Sequence, residues 1–400
     1  MSATSELMEK ALANTNPRPA PLHGIRVLDL TRLLPGPVAS LHLADLGAEV
    51  IKIEDPQVGD YARTLGVGHG EDSAYFRMIN RNKQGLVLDL KKPEGVAVFL
   101  RLARDADVIM ESFRPGVVDK LGIGYQTIAA FNPKITYCSI SGYGQDGPYK
   151  DLAGHDINYL GYAGVLDQVG ELGGKPAIPN FQIADLLGGA LTGVMGILAA
   201  VIDAQRTGHG RYVDVSMTDS VLAHSYFTML RLNDAGHSAA RGDDLLSGGL
   251  PCYATYRCAD GKYMAVGALE TKFWKLACDV FNKPAWVKRQ WDAALRDELA
   301  ALFVTRKRDD WAQLFATVDC CVTPILTPEE ALLNQQIVAR GMVLESAGLT
   351  QFSPPMKLSE HGFTIRQQAP KVGEHTTQIL AAAGYTPMEI AQLKSNGALG

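Results

Sequence analysis

The chain has 400 residues, 46% of them apolar and 20% charged, a mixture that excludes disordered, collagenous and fibrous classes and allows two or three folding units. With 38 basic and 43 acidic residues the formal charge is −5, which offers no general attraction for nucleic acid or an anionic membrane. The six cysteines form no CxxC pair and no regular framework, which predicts reduced thiols and a cytoplasmic setting rather than disulfides or structural zinc.

The opening segment through Gly24 carries charges where an export signal needs an apolar core, and its Pro/Asn/Ala-rich end predicts a loosely attached lead-in. From Gly24 the chain reads GIRVLDL, a Pro-Gly-Pro loop, helix-period VASLHLADLGAE and then VIKIED, a strand, helix and strand in succession. The alternation continues with Leu86–Leu90, a helix from Pro93 to Arg104, Val108–Met110 and Ile135–Ser141, predicting an α/β, Rossmann-like doubly wound parallel sheet. The first loop lacks G-x-G-x-x-G, which disfavours a nicotinamide dehydrogenase, and no G-x-x-x-x-G-K-[ST] phosphate loop is present. The uncharged run Leu186–Ile202 reaches only the lower edge of a bilayer-spanning length and is rich in small residues, so it reads as a buried helix rather than a membrane span. After Gly208 the texture changes. Strand-like segments at 252–258 and 263–267 flank Ala259-Asp260-Gly261-Lys262, a hairpin signal, and helices follow at about 271–281 and 308–318. A smaller α+β unit fits this region, and from about Pro354 the chain returns to a strand-and-helix mixture able to rejoin the first domain.

None of the nine histidines stands in metal-ligand spacing, so no metal is expected. His155, in Gly154-His155-Asp156-Ile157-Asn158-Tyr159, follows a Gly/Pro-rich loop and bears a group that exchanges protons near neutrality; its plain alternative is a structural role. Asp185 stands where PNFQIAD meets the apolar helix. It reads either as a cap for free backbone N–H groups or as a reacting carboxylate with room made by Gly188 and Gly189. Glu270 follows a strand and reads either as a solvated loop residue or as a carboxylate that orients a histidine. Basic residues at 81, 83, 91, 92, 114 and 120 fall near the ends of early strands, where an open α/β sheet binds ligands.

The motifs GIRVLDL, PGP, LADLGAEVIKIE, NRNK, LDLK, SFRPGVVDKLG, SGYGQDGPY, TGHGRYVDVSM, CVTPIL and GEHT together resemble the family III CoA-transferase superfamily from about Leu22 to Leu380. AGHDINYL, RGDDLLSGGLPCYATYRCADGKYMAVGALE and DCCVTPIL resemble its racemase branch, the alpha-methylacyl-CoA racemases. That resemblance implies His155 and Asp185 as the proton-transferring pair, Glu270 as the partner of the histidine and Asp156 as a polar neighbour. It places the CoA handle on Leu34, Pro35, Leu90, Lys91, Ser112, Phe113, Arg114 and Lys120, with no cofactor beyond the CoA moiety of the substrate. It implies a large CoA-binding domain of residues 1–215 and 356–400, a linker at 216–245, a small domain at 246–336, a second linker at 337–355, and an interlocked homodimer in which Glu270 reaches His155 of the other subunit. Two features depart from the racemase pattern: Asp55 stands where many relatives carry arginine, and the Asp60–Phe76 stretch resembles the transferase branch. The expected activity is racemisation of 2-methyl-branched acyl-CoA thioesters through an enolate. Transfer of CoA between carboxylic acids through an aspartyl-CoA intermediate on Asp185 is the second expectation, and a non-catalytic acyl-CoA binder the third.

Overall fold

Contacts divide the chain into two units in the computed structural model, which describes residues 18–66 and 72–399. The lead-in expected at the start of the chain falls, through residue 17, outside the described residues. The first unit runs through Tyr159, resumes over Gln182–Val221 and takes in the chain from Arg340 onward; the second comprises Leu160–Phe181 and Leu222–Ala339. Residues 160–181, read from sequence as part of the large domain, thus lie with the second unit. The stretch read as the second linker contributes a hairpin, Val343–Ser346 with Leu349–Phe352, to the first.

The first unit is built on six parallel strands: β1 (Arg26–Asp29), β2 (Glu49–Glu54), β3 (Lys83–Val87), β4 (Val108–Glu111), β5 (Thr136–Ser141) and β6 (Tyr212–Ser216). Their order is β3-β2-β1-β4-β5-β6, the doubly wound arrangement expected from the alternating pattern. Parallel strands covered on both faces are apolar almost throughout, and Leu28, Ile51, Leu86, Ile109 and Tyr137 are fully buried accordingly. Strand order reverses between β1 and β4, so the loops leaving their carboxyl ends border the crevice where such sheets hold ligands.

Helices α1 (Pro35–Asp45) and α2 (Pro93–Ala103) each begin with proline in the first turn, where its missing N–H costs no helical bond. Strand β3 starts at Lys83, earlier than the apolar run at Leu86 suggests. The reason is that Lys83 is accommodated inside: its buried ammonium donates to Pro37 O and Asn80 Oδ1, each at 2.8 Å, and lies 3.6 Å from Asp29. Burial pulls its pKa down to about 7 against the pull of Asp29.

A short helix, α3 (Asp156–Tyr162), precedes the long apolar segment, which opens as a π-helix at Ala184–Leu191 and continues as α4 (Thr192–Thr207). By length and composition Ala184–Thr207 suffices to cross a membrane; in the structure α4 packs on β5, β6 and α1. Small residues permit the close approach, with Gly193 facing Ile140 and Gly196 facing Val213. The helix ends at Gly208, whose φ of 79° is the left-handed stop that glycine supplies.

In the second unit β7 (Tyr253–Arg257), β8 (Tyr263–Gly267) and β9 (Val322–Pro324) form an antiparallel sheet in that order. The hairpin turns at Gly261, with φ 79°. Helices α5 (Thr271–Val280) and α6 (Arg308–Phe315) close with it around Trp274, Phe281, Phe303 and Trp311, and the Phe281 and Phe303 rings meet edge to face at 5.5 Å.

Ile109 is fully buried in central strand β4, so Ile109→Ala is expected to destabilise the first unit by about 2–5 kcal/mol. Urea unfolding followed by circular dichroism measures this; a loss below about 1 kcal/mol would show that the site collapses around the deletion.

Candidate active site

The β5 strand leads into a Gly-rich loop ending at Gly154-His155, and α3 begins directly after it. The turn of this helix is closed locally: the His155 N–H donates to Asn158 Oδ1 at 3.0 Å, and the Asn158 N–H donates to His155 O at 2.8 Å. Tyr159, on the buried side of the same turn, donates from its hydroxyl to Gly154 O. His155 itself is exposed.

Asp156 points to the other helix. Its Oδ1 accepts the N–H of Ala184 at 2.7 Å and the N–H of Asp185 at 3.0 Å. These donors belong to the first turn of the π-helix, whose N-cap is Ile183, a residue with no side chain able to accept them. Asp156 therefore satisfies the helix end from a distance. The capping role that sequence offered to Asp185 is filled by Asp156, and the Asp185 carboxylate is left for other work. The bonds thus tie Asp156, the residue after His155, to the turn that bears Asp185.

The Asp185 carboxyl is half-buried. Burial first, and the negative charge of Asp156 second, raise its pKa to about 7. Tyr75 and Tyr159 complete the surroundings: both phenols are pushed up by burial and next by the charge of Asp185. Sequence reasoning passed over Tyr75, whose place in a short helix of the Asp60–Phe76 stretch gives no hint of a distant carboxylate, and treated Tyr159 only as part of a motif. On the far side of the turn Gly188 and Gly189 are required. A Cβ on Gly189 would stand 2.6 Å from Pro35 Cβ, and one on Gly188 2.8 Å from Met217 O. The glycines thus bring α1 and the Asp185 turn into contact. The Leu186 N–H in the same turn is given to Gln182 O at 2.9 Å.

The residues suggested for the CoA handle lie on loops at the carboxyl edge of the sheet. Leu34 and Pro35 open α1 after β1. Leu90 packs on the core after β3, and Lys91 pairs with Asp55 at 3.0 Å. After β4, Ser112 Oγ accepts the Arg32 N–H at 3.3 Å, the Phe113 N–H donates to Glu111 Oε2 at 2.7 Å, and the Phe113 ring lies 5.5 Å from the Arg32 guanidinium. Arg114 and Lys120 are exposed on the following turn and helix. Glu270 belongs to the second unit, where its carbonyl accepts the first bonds of α5 from Phe273 and Trp274. Among the described residues no cluster of three His, Cys, Asp or Glu side chains is arranged to hold a metal ion.

An α/β sheet of this order with a carboxylate at a glycine-lined helix start defines the class, and comparison with known proteins agrees. The CoA-transferase family III profile matches residues 22–376, and the chain belongs to that family. It is 36% identical over 382 residues to the human alpha-methylacyl-CoA racemase, covering 94% of this chain and 96% of that protein. It is also 31% identical over 397 residues to the human succinyl-CoA:glutarate CoA-transferase, covering 94% and 89%. Among solved structures, a CAIB/BAIF family protein from Brucella suis superposes with a TM-score of 0.81 at 31% identity, over 92% of this chain and all of that one.

The raised carboxyl has a consequence for stability. Because the folded-state pKa of Asp185 lies above the ordinary carboxylate value, ionisation costs the folded state, and stability falls as pH rises from 3.8 through about 7. Asp185→Asn is therefore expected to raise the unfolding midpoint at pH 8 and to leave it nearly unchanged at pH 4. Equal effects at both pH values would contradict the raised pKa. Asp156→Asn keeps an acceptor for the turn while removing the charge, so it should lower the Asp185 pKa, read by carbon-13 carboxyl NMR with Asp185→Asn as the assignment.

Proposed function

We propose that this family III enzyme racemises the α-carbon of 2-methyl-branched acyl-CoA thioesters by 1,1-proton transfer. What supports the reading is the pair of hydrogen bonds from the Ala184 and Asp185 amides to Asp156, the residue that directly follows the exposed His155 in the chain. A racemase needs two groups that can each give and take a proton, and a group works best when its pKa lies near the working pH. An imidazole is such a group by nature, and Asp185 is made one by burial and by Asp156.

The thioester α-carbon would sit between the two side chains. One removes the α-proton and the other returns a proton to the opposite face, with the electron pair held on the thioester oxygen as an enolate in between. In the return direction the roles exchange, so the same pair serves both enantiomers. The CoA handle would run along the carboxyl edge of the sheet past Leu34, Pro35, Leu90, Lys91, Ser112, Phe113, Arg114 and Lys120. On this reading the reaction needs no cofactor beyond the CoA moiety, and Glu270 supports His155 from the second subunit of an interlocked homodimer. In favour of such an assembly, the helix Tyr226–Ala235 buries none of its residues and leaves Tyr226, Phe227, Met229 and Leu230 exposed.

A second reading is CoA transfer. The Asp60–Phe76 stretch that resembles the transferase branch supplies Tyr75 beside Asp185, which favours it. Asp185 would attack the thioester carbonyl and expel CoA thiolate, giving a mixed anhydride. The thiolate would then attack the aspartyl carbonyl and release the first acid, leaving an aspartyl-CoA thioester for the acceptor carboxylate.

One assay separates the two: a single enantiomer of a 2-methylacyl-CoA is incubated in deuterated water with no carboxylic acid added. Racemisation with deuterium gained at the α-carbon is expected, falling by at least about 100-fold in His155→Ala and in Asp185→Ala. Retained configuration, with a CoA adduct trapped on Asp185 and turnover only on adding a second acid, would replace racemisation by transfer.

A further inference from the structure

Asp60 and Lys52 form an ion pair whose side chains are both fully buried, with Lys52 Nζ 2.7 Å from Asp60 Oδ2. Lys52 also donates to Thr31 O at 3.0 Å. The other oxygen of Asp60, Oδ1, accepts the N–H of Leu33 at 3.0 Å and of Ala62 at 2.9 Å. Burial opposes both charges, yet the pairing outweighs it: Lys52 is held above its ordinary pKa and Asp60 below its own. The carboxylate thus stays ionised and remains an acceptor for the two amides.

The residue it holds is unusual. Leu33 has φ 68°, a left-handed backbone conformation that a leucine adopts only when its surroundings enforce it. Its carbonyl is bound too, accepting the Tyr75 hydroxyl at 3.3 Å. Two residues on, Pro35 fills the space that Gly189 leaves open on the Asp185 turn. The connection therefore runs from a buried ion pair, through one strained residue, to the surroundings of Asp185. Nothing in the racemase or transferase chemistry requires Asp60 to meet the substrate.

We propose that Asp60, paired with Lys52, is a positioning residue: it holds Leu33 in its left-handed turn and so keeps the Leu33–Pro35 loop and Tyr75 packed against the turn that carries Asp185. The functional consequence rests on Asp185 being the reacting carboxylate. With the loop in place water is kept from that carboxyl; with the loop released, water reaches it and the carboxylate form is favoured. Among the described residues, the groups whose charge bears on Asp185 or feels it are Asp156, Tyr75 and Tyr159, and the substitutions below leave all three, and His155, in the chain.

The test uses the full-length protein and titrates Asp185 by carbon-13 carboxyl NMR, a readout that needs no assumption about the reaction. Leu33→Val leaves the ion pair intact but puts a β-branched residue where φ is positive, a conformation it resists. It is expected to lower the Asp185 pKa by about 1 unit or more, and Asp60→Asn, where it folds, to do the same. Leu33→Gly accepts the left-handed turn without cost and is expected to leave Asp185 titrating as in the parent. A folded Leu33→Val with an unmoved Asp185, or an equal shift in Leu33→Gly, would overturn the proposal. Failure of the catalytic reading would show separately, as α-proton exchange that persists in Asp185→Ala.

Discussion

A single carboxylate oxygen organises the candidate site. Asp156 Oδ1 accepts two amides from the first turn of the long apolar helix, and three consequences follow from that geometry. The helix end, which has no capping side chain of its own, is satisfied. Asp185 is relieved of capping and keeps its carboxyl free. The negative charge of Asp156 also adds to burial in raising the Asp185 pKa to near neutrality. Since Asp156 follows His155 in the chain, the same bonds tie the neighbour of that histidine to the Asp185 turn. Local sequence, helix termination and the ionisation of Asp185 are linked here through one side chain.

The sheet supplies the frame around this pair. Its order reverses between β1 and β4, and the loops after β1, β3 and β4 carry Leu34, Pro35, Leu90, Lys91, Ser112, Phe113 and Arg114, the residues proposed for the CoA handle. Those loops are not loosely held. Phe113 is tied to Glu111, Lys91 to Asp55, and the loop after β1 to Asp60. The Lys91–Asp55 pair is exposed on its lysine side and, like other surface ion pairs, holds its partners only weakly. The Lys52–Asp60 pair is fully buried and cannot be broken so cheaply, in keeping with a structural rather than a ligand-binding use.

Much of the fold was legible in the sequence, because apolar strands alternating with helix-period segments have few other solutions than a doubly wound parallel sheet. The hairpin around Gly261 and the helices after it were legible for the same local reasons. What sequence missed depends on contacts between distant residues. The early start of β3 at Lys83 requires Pro37, Asn80 and Asp29 to solvate a buried ammonium. The assignment of residues 160–181 to the second unit depends on packing that no local pattern encodes. In the site, the motif around His155 and the helix start at Asp185 stood out, but the exchange of the capping role between Asp185 and Asp156 could not be read from spacing. Tyr75 and the left-handed Leu33 were equally invisible, since each acquires its meaning only from what folds against it.

The most direct test of the account is a crystal structure of the protein with acetoacetyl-CoA, whose enolised acyl group mimics the planar intermediate and is not consumed. The account predicts the mimic's α-carbon between His155 and Asp185, with an imidazole nitrogen on one face and a carboxyl oxygen on the other, each at about 3–3.5 Å. Both groups on one face, or either separated from that carbon by another side chain, would contradict it.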